Sequence, residues 1–325
     1  MAIALTGSIA TDHLMHFPGL FSDNIQADQL QSISLSFLVD DLDIRRGGVA
    51  ADIAFGIAAL NGTPVLVGAV GTDFADYRKW LDDHGVDTKS VHTSETRHTA
   101  RFTCTTDDAQ NQIGSFYPGA MVEAPEIALA PVAERVGGFD VVVISPNDPA
   151  AMLVHARECR ERGYRFAADP SQQLAALDGE QVRDLVDGAT YLFTNDYEST
   201  LLLEKSGWSE QDVLDRVGYW ITTHGADGVN IRSTDGTALT VPAVSVTNEA
   251  DPTGAGDAFR AGFLWGVDQG LSFERASQVG CSLASCVLET VGPQEYELDH
   301  AEFRARIKGA YGDEAAAEIG RKLTV

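Results

Sequence analysis

Lysine is scarce in this chain of 325 residues: Lys79, Lys89, Lys205, Lys308 and Lys322 are the whole set. Basic residues number 23 against 48 acidic ones, a formal net charge of -25. So acidic a surface argues against nonspecific binding of nucleic acid or anionic membranes, which favour basic patches. A polyanionic substrate would then need positive help from backbone N–H groups and a bound cation. Long apolar runs are missing as well, with no stretch of the ~18 residues that would cross a bilayer. The start, Met1-Ala2-Ile3-Ala4-Leu5-Thr6-Gly7, has no basic segment and reads as a buried strand rather than a secretion signal. Cysteine is sparse. Cys104, Cys159, Cys281 and Cys286 show no metal-type pairing and read as reduced, buried thiols of a cytoplasmic protein.

What is present suits a large α/β domain: 44% of the residues are hydrophobic, ample for a core. Short apolar runs at 3–6, 65–70, 141–144, 166–168, 191–194 and 220–223 predict buried strands. Amphipathic segments at 49–60, 74–84, 150–162, 180–186 and 197–205 predict helices between them. This alternation implies a mostly parallel, doubly wound sheet, whose ligands bind past the carboxyl ends of the strands. Asp12, Asp169, Asn195 and Thr223 stand at or just beyond such ends. Segments 33–39, 99–104 and 112–117 instead alternate in polarity and predict antiparallel strands outside the main sheet. Three further helices are expected at 272–289, 299–310 and 314–323.

The densest chemical signal is Asp251-Pro252-Thr253-Gly254-Ala255-Gly256-Asp257-Ala258-Phe259. It ends a polar turn and opens an apolar-periodic helix whose first N–H groups lack partners within the helix. Gly254 and Gly256 let an anion approach that backbone closely. A further carboxylate at Asp257 suits a base that takes a proton from an attacking hydroxyl while the helix start neutralises a transferring phosphoryl group. An ordinary capped turn before a core helix would read similarly. Two commoner phosphate motifs are excluded: no third glycine completes a dinucleotide fingerprint, and the Lys205-Ser206 pair has no preceding glycine, as a Walker A loop requires.

The segment resembles the C-terminal signature of the ribokinase-like (PfkB) sugar kinase superfamily, Asp-Thr-x-Gly-Ala-Gly-Asp, in a variant where Pro252-Thr253 follows Asp251 and the Gly-x-Gly-Asp core is kept. Three other blocks fall in the family's order. Gly47-Gly48-Val49-Ala50 is similar to its N-terminal signature, Asn195-Asp196-Tyr197-Glu198 to its Asn-x-x-Glu motif, and Thr223-His224-Gly225-Ala226-Asp227-Gly228 to its nucleotide-side loop. The resemblance implies an ATP- and Mg²⁺-dependent phosphotransferase with an alcohol acceptor. Asp257 would be the general base, and Gly254, Ala255 and Gly256 the anion hole. Thr223, Gly225 and Gly228, with Asn195, would meet ATP; Asn195 and Glu198 would orient Mg²⁺ through water. It implies a large domain of residues 1–12, 47–96 and 119–325, and a small β lid of 13–46 and 97–118 through which two copies pair as a homodimer.

On the acceptor side the resemblance implicates Ser8, Asp12, Gly47, Gly48 and Asp52; Asp12 would accept hydrogen bonds from vicinal hydroxyls of a sugar or nucleoside. Blocks at 6–14, 34–39, 98–106 and 169–174 resemble the actinobacterial-type adenosine kinases within the superfamily. By that likeness Phe102 and Phe116 sandwich a purine while Gln172 and Gln173 hydrogen-bond around it, a use of aromatic faces that suits a flat base. One position departs: Asp52 stands where the family places asparagine. Facing Asp12 in one pocket, it is expected to repel that acid and raise one pKa. Ala176 departs likewise, in place of an arginine. Adenosine kinase is the first expectation, a kinase of another ribonucleoside or sugar the second, and a nucleoside-binding protein with weak transfer activity the third.

Overall fold

A computed structural model describes residues 2–24 and 36–323. Its framework is an eight-stranded sheet. In chain order the strands are β1 (Ala2–Thr6), β4 (Pro64–Val67), β9 (Phe139–Ile144), β10 (Phe166–Ala168), β11 (Tyr191–Asn195), β12 (Tyr219–Thr223), β13 (Val229–Arg232) and β14 (Ala238–Val241). They lie in the order β14-β13-β12-β11-β10-β9-β1-β4, parallel from β4 to β12, with β13 and β14 antiparallel at one edge. The doubly wound α/β reading thus holds.

The strands read as continuous apolar runs because both faces are covered. Ile3, Leu5, Leu66, Val141, Val143, Phe193 and Ile221 face one core, shared with α1 (Val49–Ala59), α8 (Ala255–Asp268), α9 (Phe273–Leu288) and α10 (His300–Leu323). Their alternate neighbours Ala4, Val65, Val67, Val142, Ile144, Leu192 and Trp220 face a second core. That core is shared with α3 (Leu129–Val136), α4 (Pro149–Arg162), α5 (Gly179–Val186), α6 (Asp196–Ser206) and α7 (Glu210–Leu214). α10 is broken at Gly312 (φ 87°), so it is two helical pieces end to end. None of the described helices is long and apolar enough to cross a membrane.

Four strands form a second sheet in the order β3-β2-β7-β8: β2 (Ala10–Phe17), β3 (Asp41–Gly47), β7 (Ala100–Asp107) and β8 (Gln112–Tyr117). It differs from expectation in three ways. β2 pairs with β7 in parallel, and only β2–β3 and β7–β8 are antiparallel. The sheet takes up the chain from Ala10, so Asp12 belongs to its first strand. The strand expected at 33–39 is not found: 33–35 lie outside the described residues, and Ser36–Val39 are not extended into the sheet. The charged run Asp41–Gly47 pairs instead, its Leu42 and Ile44 alternating with Asp41, Asp43 and Arg45. Phe37 packs its ring 4.9 Å from those of Phe17 and Phe21.

The run 65–70 also divides. A Cβ at Gly68 would stand 2.9 Å from the Gly7 carbonyl, and past that point the chain leaves the main sheet. There β5 (Ala69–Val70) pairs with β6 (His92–Thr93). The helix α2 (Ala75–Asp83) follows β5.

Small residues let α8 approach both of its neighbours. A Cβ on Gly56 of α1 would lie 2.6 Å from that of Ala261, and Gly262 would collide with Gly280 of α9 at 2.7 Å. That close packing seats the start of α8 beside the first turn of α1, at the carboxyl edge of the parallel strands.

Candidate active site

Asp251 shapes the turn that enters α8. Its Oδ1 accepts from Thr253 N at 2.9 Å, its Oδ2 from Gly292 N at 3.2 Å, and Arg45 of β3 pairs with that oxygen at 3.1 Å. Gly254 then turns left-handed (φ 81°), and Ala258 N makes the first helical bond, to Gly254 O at 2.9 Å. The N–H groups of Ala255, Gly256 and Asp257 precede that ladder at the positive end of the helix dipole.

Asp257 lies in the first turn with its side chain 16% exposed. Burial pushes its pKa up to about 7; Arg260 opposes the rise, and Asp169 and Glu198 add to it. Arg260 Nη1 is 3.9 Å from Asp257 Oδ1, and its Nη2 is 2.7 Å from Oδ1 of the fully buried Asp169. Asp169 is itself raised to about 6, chiefly by burial, against Arg260 and with Glu198.

The acceptor-side residues converge on the start of α1. Gly48 has φ 102°, and a Cβ there would meet the backbone of Ser8, Ile9 and Ala10 at 2.7 Å, so this close crossing admits only glycine. Ser8 Oγ accepts from Val49 N at 3.0 Å and so caps α1. A Cβ on Gly47 would lie 3.2 Å from Asp12 Oδ2, which places that backbone against the carboxylate.

Asp52 is buried, and its Oδ1 accepts from Gln294 Nε2 at 2.7 Å. Gln294 also donates to Tyr77 Oη at 2.5 Å, and Tyr77 donates to Gly47 O at 3.0 Å. The pKa of Asp52 is raised well above the ordinary carboxylate range, first by burial and then by Asp257, with Asp12 a weaker influence. Asp12 is raised by burial and Asp251 against Arg45. The expected repulsion between Asp52 and Asp12 is therefore secondary. Among the neighbouring acids it is Asp257 of α8 that acts on Asp52 most strongly.

A cavity of about 390 Å³ opens between the small sheet and the turn before α8, lined by Asp12, Arg45, Phe102, Gln112, Asp251 and Thr253 among others. Phe102 and Phe116 are register partners on β7 and β8. Directly opposed residues point to the same face of a sheet, so the two rings stand side by side rather than as facing slices, and only Phe102 borders the cavity. Gln172 and Gln173 do not border this cavity. Gln173 donates to Asn147 O at 2.8 Å, while Gln172 is exposed and accepts from Ser171 Oγ at 2.9 Å.

On the other side of the Gly254–Gly256 turn lies a cavity of about 560 Å³. Thr223, Gly225 and Gly228 line it with Ala255, Gly256 and residues 243–246 of the loop after β14. Gly225 has φ 55° and open space where a Cβ would point, so this turn leaves room for a ligand. Gly228 answers a different need: its Cβ would stand 2.1 Å from Val241 O.

Asn195 and Glu198 form a reciprocal cap of α6. Asn195 Oδ1 accepts from Glu198 N at 2.8 Å, and Glu198 Oε2 accepts from Asn195 N at 2.9 Å. Among the described residues no cluster of three or more His, Cys, Asp or Glu is placed to hold a metal. One carboxylate with an oxygen committed to a helix cap fits an ion such as Mg²⁺, which keeps its waters and leans on substrate phosphates.

Sequence reasoning passed over Arg260, Gln294, Tyr77 and Arg45. Only Arg260 carried a local signal, a lone charge among the apolar residues of its helix.

A family model described as pfkB family carbohydrate kinase matches residues 19–300. The chain is 30% identical over 253 residues to a nucleoside kinase of Methanocaldococcus jannaschii, covering 76% of this chain and 80% of that protein. It is 28% identical over 321 residues to a nucleoside kinase of Methanothermobacter thermautotrophicus, covering 95% and 96%. The solved structure of Burkholderia thailandensis nucleoside kinase in complex with inosine superposes with a TM-score of 0.84 at 33% identity, over 96% of this chain and 99% of that one. The likeness reaches ribokinase-like kinases, nucleoside kinases among them; adenosine as acceptor is a narrower statement.

Proposed function

The chain belongs to the pfkB family of carbohydrate kinases, and we propose that it transfers the γ-phosphoryl group of ATP to the 5′-hydroxyl of a nucleoside, adenosine first among them. The observation that carries this reading is the position of Asp257. It follows directly on a turn that borders both cavities, Ala255 and Gly256 lining the one with Thr223 and Gly225, Asp251 and Thr253 the one with Asp12 and Phe102. A nucleotide in the first and an acceptor in the second would meet at this carboxylate.

In the proposed reaction Asp257 takes the hydroxyl proton as the acceptor oxygen bonds to the γ-phosphorus. The bond from that phosphorus to the β–γ bridging oxygen breaks, and ADP leaves. Such proton transfer contributes about 10²–10⁴ in rate. Gly254, Ala255 and Gly256 offer N–H groups to the charge on the transferring phosphoryl group. Asn195 and Glu198 would hold Mg²⁺ through its waters, and the bound ion supplies positive charge at the β and γ phosphates. Asp12, beside the Gly47 backbone, would accept from the ribose hydroxyls, and Phe102 would offer a face to the base.

Inosine is the second acceptor to consider, because it occupies the similar Burkholderia thailandensis kinase. A second copy of the chain is proposed to pack on the far face of the small sheet. By register Leu42, Ile44, Ile113 and Tyr117 share the face turned away from Asp12, and all four are exposed.

The test is ADP production from ATP·Mg²⁺ with adenosine, inosine, guanosine, cytidine, ribose and fructose. Preference for adenosine supports the full reading. Preference for another nucleoside keeps the chemistry and corrects the acceptor. Turnover of free sugars alone refutes the nucleoside pocket.

A further inference from the structure

Arg260 is an unexpected residue for its helix. From Ala258 to Gly266 α8 is fully buried, and Arg260 is the only charged member of that stretch. A buried guanidinium is costly unless paired and hydrogen-bonded. Here Arg260 pairs with Asp169 Oδ1 at 2.7 Å, yet among the described residues Asp169 Oδ2 and Arg260 Nε find no hydrogen-bond partner. An ion pair kept for stability alone would be expected to satisfy those groups.

Gly256 supplies an independent observation. Its backbone is not in the left-handed region that favours glycine, and the one atom that a Cβ there would meet is Arg260 Nη1, at 2.8 Å. The glycine therefore makes room for the guanidinium, whose Nη1 lies 3.9 Å from Asp257 Oδ1.

We propose that Arg260, fixed by Asp169, is a positioning residue for Asp257: it holds a permanent positive charge beside Gly256 and keeps the carboxylate ionised and aimed at the acceptor hydroxyl. The proposal rests on Asp257 being the base. Around that carboxylate stand Asp169 at the end of β10, Glu198 of α6 and Asp52 of α1, all acidic, and Arg260 alone among these opposes them. Asp257 titrates at about 7 with the arginine present. Without it the base would be largely protonated at neutral pH and unable to accept a proton.

The experiment uses the full-length protein, its best acceptor and ATP·Mg²⁺, with kcat followed between about pH 5.5 and 9. In Arg260→Gln the acid limb moves to higher pH by about one unit or more. Near pH 6.5 kcat falls about tenfold, near pH 9 it returns toward wild type, and acceptor KM changes little. Arg260→Lys, which keeps the charge, recovers most of the limb. An unmoved limb, or a lysine variant no better than the glutamine one, overturns the proposal.

If Arg260→Gln fails to fold because Asp169 is left unpaired, the double variant Arg260→Gln/Asp169→Asn removes both charges. The arginine acts on Asp257 more strongly than Asp169 does. The limb should again move to higher pH, and an unmoved limb is again fatal. Asp257→Asn separates the two failures. Retained turnover there refutes the base itself; lost turnover with an unmoved Arg260→Gln limb refutes only the role of the arginine.

Discussion

Asp257→Asn is expected to abolish turnover and yet stabilise the protein, increasingly so as the pH rises. The folded chain raises this carboxyl from 3.8 to about 7. Below pH 4 the group is protonated in both folded and unfolded chains and costs nothing. Between those values the unfolded chain releases the proton and the folded chain holds it, so stability falls by about 1.4 kcal/mol per pH unit. Above 7 the whole penalty is present, about 4 kcal/mol at most. The side chain is 16% exposed, so water at its mouth lowers this to roughly 2–4 kcal/mol. Asparagine has the same shape and no charge, and Arg260 keeps its 2.7 Å contact with Asp169. An unfolding entropy of about 2.1 cal/mol/K per residue makes 1 kcal/mol worth about 1.5 °C in a chain of this length. Differential scanning calorimetry without ligands should therefore show Tm higher by about 3–6 °C at pH 8, and by less than half of that at pH 5. A variant no more stable than wild type at pH 8, or one with an equal gain at both pH values, would refute the reasoning.

Three further outcomes are expected. Asp52→Asn removes an acid that burial and Asp257 hold well above its ordinary pKa and supplies the amide donor that the family's asparagine would offer. Nucleoside KM should fall roughly fivefold, the equivalent of about one hydrogen bond, and steady-state kinetics with an unchanged KM would sink that account. Phe102→Ala removes the ring that lines the acceptor cavity. Nucleoside KM should rise about tenfold or more, since a stacked base is worth about 1–3 kcal/mol, while ATP KM stays level; an equal rise in both would point to lid collapse instead. Ile44→Glu with Ile113→Glu puts charge on the exposed far face of the small sheet. Analytical ultracentrifugation should show wild-type dimers and variant monomers, and a wild-type monomer would end the dimer proposal.

The main sheet was legible because strands buried on both faces are unbroken apolar runs, and 166–168 and 191–194 matched β10 and β11 to within a residue. The small sheet was less so. Its β3, Asp-Leu-Asp-Ile-Arg-Arg-Gly, is exposed along most of its length, so no hydrophobic signal marks it, and the apolar run before it drew the assignment away. Its edge is set by pairing with β2, which is a long-range backbone fact. The parallel β2–β7 pairing is of the same kind: residues 10–17 and 100–107 meet only after the chain has passed through α1, β4 and α2.

The site divides along a similar line. Residues whose role is to bend or expose the backbone announce themselves locally as glycines in motifs, and Gly48 and Gly254 both have positive φ. Residues that act by charge across space do not. Asp52 was expected to answer to Asp12 because the family resemblance put both in the acceptor pocket. In the fold it answers first to Asp257, because Gly56 lets α1 press against Ala261 of α8. Gln294 lies 242 positions from the carboxylate to which it donates. Arg260 was visible all along as a lone charge in Phe259-Arg260-Ala261-Gly262-Phe263, but its meaning required Asp169, 91 residues away, at the far end of a neighbouring strand. A buried charge in an apolar helix implies a buried partner of opposite sign. The acid best placed to supply it was one that topology had already put at a strand end.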